Sequence, residues 1–159
     1  MTPSVDASIR VAKTGDLAFL AESHRLGHSA IANARGGDLD IALRGRPEPI
    51  EESFAASLDE EHTHVLIGEV AGVPVGYLVG TVELLRTGDH IFRVSDLWVH
   101  PNARGIGTGG ELMRKAMDIA RGAGCIGIDA RALPGDRVTK NFFESFGLVA
   151  RTIEVHKSL

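Results

Sequence analysis

Residues 99–113 read VHPNARGIGTGGELM. Gly105, Gly107, Gly109 and Gly110 crowd into this stretch behind Arg104 and lead into an amphipathic run. Glycine loses more backbone freedom on folding than any other residue, so a run this dense needs a compensating role. A helix N-terminus offers one. Its first N–H groups are unpaired and carry partial positive charge, and glycines let that backbone approach an anion closely. The loop therefore asks for a strand before it, a helix after it, and a phosphorylated ligand at the junction.

Two nucleotide motifs compete for those glycines. A Walker loop requires G-x-x-x-x-G-K-[ST], and here the glycines run into Glu111 with no lysine for a terminal phosphate. A dinucleotide fingerprint, G-x-G-x-x-G, matches Gly105, Gly107 and Gly110, and Asp129 lies near its expected acidic position. Its surroundings disagree. HPNAR separates the strand from the first glycine, hairpins occupy the upstream half, and only 49 residues follow Gly110, too few for a second nucleotide half.

A chain of 159 residues is long enough for one ordinary core and short for two, so a single domain over 1–159 is expected. With 43% hydrophobic and 24% charged residues it sits near the soluble globular average, and no apolar stretch approaches the roughly 20 residues that span a bilayer. A net charge of −4 gives no basic footprint for nucleic acid. The opening residues lack the basic segment and apolar run of a secretory signal, Cys125 has no second cysteine to pair with, and a cytoplasmic protein is expected.

Periodicity places a strand at SIRVAK, a helix from about Asp16 with Asp16 as its cap, a structured loop over Ala32 to Pro49, and a helix opened by Pro49. HVLIGEV, VGYLVGTVELL and IFRVSDLWV form an antiparallel meander. Leu112, Ala116, Ile119 and Ala120 share one face of a helix running from Gly107 to about Gly122. CIGIDARAL reads as a buried strand, VTKNFFESFG as a last helix and LVARTIEVHKSL as a last strand. The crossover through the glycine loop makes the strands at 91–99 and 125–132 parallel neighbours.

Arg104, Gly107 and Gly109 in R-x-x-G-x-G resemble the acyl coenzyme A diphosphate signature of the GNAT superfamily of N-acetyltransferases. SDLWVHPNARGIGTGGELM and TKNFFESFGL are similar to that family's loop and closing segment, and the order of elements follows its pattern from about Val65 to Leu148. The resemblance implies an α/β (α+β) fold with a mixed, mostly antiparallel sheet of six or seven strands, about four helices, and central parallel strands that splay apart. It implies acetyl transfer from acetyl-CoA, as co-substrate, to a primary amine of a small molecule by direct attack. Acceptors on proteins, and a non-catalytic acyl-CoA binding or sensing module, are the alternatives. Homodimers are frequent in the family, and no metal is expected.

By the same resemblance, Arg104, Gly105, Ile106, Gly107, Thr108, Gly109 and Gly110 hold the diphosphate. Leu97, Trp98 and Val99 offer backbone to the pantetheine arm and thioester, and Asp136, Asn141 and Phe143 line the same arm. Phe143 stands where the family usually carries a tyrosine that protonates the leaving thiolate. Asp96 is the candidate base for the amine, although a strand's period of two sends Ser95 and Asp96 to opposite faces unless a bulge intervenes. Asp129 and Arg131 are candidates for acceptor recognition, and Asp38, Asp40, Glu51 and Glu52 could attract a cationic amine. Cys125 reads as packing, Tyr77 as core, and His156 as an exposed strand residue. The pairs His24/His28 and His62/His64 have spacings that could bind metal, without the H-E-x-x-H pattern that would support it.

Overall fold

The computed structural model describes residues 6–159. In chain order the elements are β1 (Ala7–Val11), α1 (Leu17–Ile31), α2 (Gly37–Arg44), α3 (Ile50–Asp59), β2 (Thr63–Val70), β3 (Val73–Leu84), β4 (His90–Val99), α4 (Thr108–Gly122), β5 (Gly127–Asp129) and α5 (Arg137–Ser145), with single 3-10 turns at Thr14–Asp16 and Pro101–Ala103. The strands lie in sequence order in one five-stranded sheet. β1 to β4 run antiparallel and β5 joins β4 in parallel, as the crossover through the glycine loop requires.

Alternation in β2 and β3 feeds two cores. Val65, Ile67, Tyr77 and Val79 point to one face and pack with Leu20, Ala21, Ile50 and Phe54 of α1 and α3. Leu66, Leu78, Phe92 and Val94 point to the other and pack with Leu112, Ala116 and Ala120 of α4. A sheet covered on both faces explains why these strands read as near-continuous apolar runs.

β4 carries one residue more than β3 opposes. Val79 faces Asp96 while Gly80 faces Val94, so Ser95 is the extra residue of a β-bulge. Phe92 and Val94 lie on the α4 face before it, Leu97 and Val99 on that face after it, and Trp98 joins the α1/α3 side. The pairing of β4 with β5 covers only Ile91, Phe92 and Arg93, so the two strands part just before the bulge.

Four sequence expectations are corrected. Among the described residues the sheet has five strands because residues 148–159 form none; Val149, Ile153 and Val155 are more than 80% exposed, and an alternating pattern without a partner edge does not make a strand. β5 is three residues, shorter than CIGIDARAL suggested, since its ladder ends where β4 diverges. Among the described residues there are five α-helices: α2 occupies the stretch read as a loop, with Asp38 and Asp40 in its first turn, Arg44 in its last, and Arg44 bonded to Asp40 at 2.7 Å. Asp16 precedes α1 but makes no side-chain cap to it. Its carboxylate accepts instead from Lys13 N–H at 2.7 Å and from the Arg10 guanidinium at 2.7 and 2.8 Å.

Gly80 has no room for a side chain, because an added Cβ would collide with the ring of fully buried Phe92. Gly80→Ala is expected to lose about 1–3 kcal/mol in urea unfolding. Gly122→Ala, in open space at the end of α4, should stay within about 1 kcal/mol of the parent or gain slightly.

Candidate functional site

The junction between β4 and α4 is built by local rules. Pro101 opens a tight turn, His100 Nδ1 accepts from Asn102 N–H at 3.1 Å, and Ala103 N–H donates to His100 C=O at 2.8 Å. That turn accounts for the residues between strand and glycines that a dinucleotide fold lacks. Gly105 and Gly107 follow with φ of +82° and +100°, a region favouring glycine, and each faces open space where a side chain would stand. Gly107 is the residue before the helix, and its carbonyl accepts from Glu111 N–H at 3.0 Å. Helix geometry therefore leaves the N–H groups of Thr108, Gly109 and Gly110 without intrahelical acceptors.

The predicted loop residues thus come together at one helix start, and their conformation suits an anion. Thr108 is 1% exposed, and its hydroxyl lacks a partner among the described residues, so it turns inward and offers the loop its N–H. Arg104 is exposed and anchored by Nε donating to Val99 C=O at 3.1 Å, which ties the loop's cation to the end of β4. The ring of Phe142 lies 3.5 Å from where a Cβ on Gly109 would sit. Phe142 went unmarked by sequence reasoning, although its place beside Phe143 in TKNFF was a signal.

The other expected residues of the acyl-CoA arm divide. Leu97 and Val99 lie on the part of β4 beyond its pairing with β5, so this backbone flanks the gap between the strands. Trp98 packs its ring against Gly27 of α1 and can serve the gap only through its main chain. Asp136 caps α5, accepting from Thr139 N–H at 3.1 Å and Thr139 Oγ1 at 2.7 Å. Asn141 is exposed in an open groove with Gly135, Arg137 and Lys140. Phe143 is 8% exposed, an apolar ring packed beside Phe142.

On the opposite face of the sheet the bulge delivers Asp96 into a polar cluster. Its Oδ2 accepts from Arg46 Nη2 at 3.1 Å and from Ser95 Oγ at 3.2 Å, and its Oδ1 lies 3.7 Å from His24 Nδ1. Arg46 also donates from Nη1 to Ser57 Oγ at 2.9 Å and stacks over the Phe54 ring, 4.0 Å from its centroid. Burial would raise the Asp96 pKa, but the His24 and Arg46 contacts outweigh it and hold the carboxyl below its ordinary range. Arg46 and His24 were missed as partners of Asp96, being 50 and 72 residues away in sequence.

Asp129 is engaged by Arg151 and lies 3.6 Å from Arg93 Nη1; the Arg151 bond, opposed by burial and helped by Arg93, lowers its pKa. Arg131 stands 3.8 Å from Asp40 of α2. Asp40 and Glu154 both bond Arg44, so β5, α2 and the C-terminal segment meet through charges. Glu51 pairs with Arg25 at 3.1 Å, away from Asp96's partners. Burial pushes the Cys125 thiol up, consistent with packing, and Tyr77 is 2% exposed in the core.

The Asp96–Arg46 pair makes two predictions for stability. Side-chain exposure is only 17% and 12%, so Arg46→Met strands a mostly buried carboxylate and is expected to cost about 3 kcal/mol in chemical unfolding. A carboxyl held low in the folded state contributes stability above its unfolded pKa and loses it as pH falls through the folded one. Asp96→Asn should therefore flatten the acid side of the Tm–pH curve below about pH 4.

Comparison with known proteins agrees with this geometry. Residues 37–148 match the acetyltransferase (GNAT) family. A putative acetyltransferase from Agrobacterium tumefaciens superposes with a TM-score of 0.72 at 22% identity, covering 96% of this chain and 99% of that one. A ribosomal-protein-alanine N-acetyltransferase from Brucella melitensis gives 0.72 at 15% identity, covering 97% and 99%. An aminoglycoside acetyltransferase from an uncultured soil sample, solved with sisomicin, gives 0.72 at 17% identity and 96% of each chain. No curated protein sequence matches the chain. The family match spans the bulged strand, the glycine loop and α5, where the geometry above converges, and the chain belongs to the acetyltransferase (GNAT) family.

Proposed function

We propose that this protein is an N-acetyltransferase that moves an acetyl group from acetyl-CoA to a primary amine of a small molecule by direct attack. The observation that carries the reading is the junction of β4 and α4: free helix N–H groups and two positive-φ glycines beside a strand that has just lost its parallel neighbour. Residues 104–110 bind the diphosphate, with Arg104 as fixed cation. Backbone of Leu97, Trp98 and Val99 orients the pantetheine arm and steadies negative charge on the thioester oxygen. Asn141 and Asp136 lie along the same arm at α5. The acceptor side is the α1/α3 face, bounded by α2, with Asp129 and Arg131 at its β5 end. The amine-acetylating names of the Brucella and soil-sample neighbours support an amine as acceptor.

An alkylamine with a pKa near 10 is neutral only about once in a thousand molecules at pH 7, so its proton must be removed before attack. The carbon–nitrogen bond then forms as the carbon–sulfur bond breaks, and the second nitrogen proton leaves with the thiolate as coenzyme A. Asp96 supplies fixed negative charge beside this path. Phe143 offers no hydroxyl for the thiolate, which favours water as the proton carrier there. The same residue favours a second reading, a module that binds acyl-CoA without turnover. No helix among the described residues is long and apolar enough to cross a membrane, and a cytoplasmic location accords with that.

Thermal shift with acetyl-CoA, coenzyme A and NAD tests the ligand. At 100 times its dissociation constant, acetyl-CoA should stabilise the chain by about 2.7 kcal/mol and NAD should not. Arg104→Ala combined with Gly107→Val should abolish the shift while leaving the ligand-free protein folded; protection by NAD alone would overturn the reading. Thiol release with a panel of amines then separates enzyme from binding module.

A further inference from the structure

His24 is 3% exposed on α1, with Nδ1 3.4 Å from the Tyr77 hydroxyl and 3.7 Å from Asp96 Oδ1. Its Nε2 is buried with no hydrogen-bond partner among the described residues. A buried unpaired N–H is the costlier orphan, so the favoured tautomer points Nδ1–H toward Asp96 and leaves Nε2 as a bare acceptor. One turn along α1, the His28 ring lies against His24 with centroids 3.8 Å apart and the ring planes tilted by 54°. His28 is half-buried, and its Cε1 borders Gly45 in the segment linking α2 to α3. A chain of titratable groups thus runs from β4 outward: Asp96, His24, His28.

Every neighbouring element contributes to its charge. Tyr77 of β3 keeps its phenol proton, since burial raises its pKa well above the ordinary value. α3 presents the edge of the Phe54 ring to His24. Asp40 of α2, Asp96 of β4 and Arg46 between α2 and α3 act on His28. Burial, then the charge of His24, lowers the His28 pKa, while Asp96 and Asp40 oppose them. Two charged rings at this distance repel, so a charge on one disfavours a charge on the other. Asp96 is poorly suited to hold that proton itself, because Arg46 already binds its carboxylate.

We propose, resting on the acetyltransferase reading above, that His24 and His28 together accept the proton which the acceptor ammonium must release, and that Asp96 is the positioning residue whose fixed charge keeps it there. The ammonium passes one proton to the imidazole pair directly or over one water, and the neutral amine attacks the thioester. The proton held by the rings leaves to solvent from the outer ring, His28, so the pair is neutral again for the next turnover. Metal ligation, the other reading of a His-x-x-x-His spacing, finds no cluster of three or more ligating side chains among the described residues.

Long-range proton–nitrogen NMR of the full chain labelled with 15N-histidine follows the His28 titration without any substrate. His24→Gln removes a neighbouring positive charge and should raise the His28 midpoint; Asp96→Asn removes a negative one and should lower it, each by about 0.5 pH unit or more. With acetyl-CoA and spermidine or benzylamine as acceptor, the acidic limb of kcat/KM should move with that midpoint in each variant. His28→Gln should reduce kcat/KM at least about tenfold at pH 7 with the acetyl-CoA thermal shift unchanged. A midpoint that stays put in both variants, or an acidic limb that ignores it, overturns the proposal. Failure of the unaltered protein to bind acetyl-CoA overturns the functional reading instead, so the two failures are distinguishable.

Discussion

At Ser95, β4 holds one residue that β3 does not oppose, and from there on the strand exchanges the faces of its side chains. Without the extra residue, Asp96 would continue the row of Phe92 and Val94 into the apolar core beneath α4, where an ionised carboxylate is strongly disfavoured. With it, Asp96 turns to α1 and finds Arg46 and His24, while Leu97 and Val99 return to the α4 core. The bulge also follows the last β4–β5 pair directly, so the parting of the strands and the reversal of faces occur at one place. One backbone irregularity thereby sets the exposed main chain and the charged side chain on the same short stretch.

Two surroundings of opposite character meet there. The loop at 104–110 offers N–H groups and glycines in open space, a site defined by what the backbone leaves unpaired. The cluster around Asp96 is crowded, with Arg46 reaching Ser57, Phe54 and Asp96 at once, yet His24 Nε2 and Arg46 Nε stay unpaired among the described residues. The first is open to an anion; the second is closed around its own ion pair.

Local features were legible in the sequence and distant pairings were not. The glycine loop, α4 and the parallel crossover depend on residues close together, so spacing alone located them. α2 was obscured by Gly36 and Gly37 at its start and Gly45 at its end, although its acidic first turn and Arg44 were visible signs. The alternation of 148–159 looks like a strand, yet strand formation depends on an edge that only the fold can provide. The Ser95 bulge was open in the sequence, because a period of two cannot say which residue will be unopposed. Arg46 and His24 gave no signal as partners of Asp96, since ion pairs across 50 and 72 residues leave no periodic trace.

Between Ala32 and Pro49 the only residue buried by the fold is Gly37, so this segment owes little to apolar packing. Arg46 fastens it to β4 and α3 by polar bonds and one aromatic face. Arg44 with Glu154 and Asp40 with Arg131 add charged ties to the C-terminal segment and to the stretch after β5. Side chains between Ala32 and Pro49 can therefore be exchanged with little effect on either hydrophobic cluster as long as these polar ties are kept.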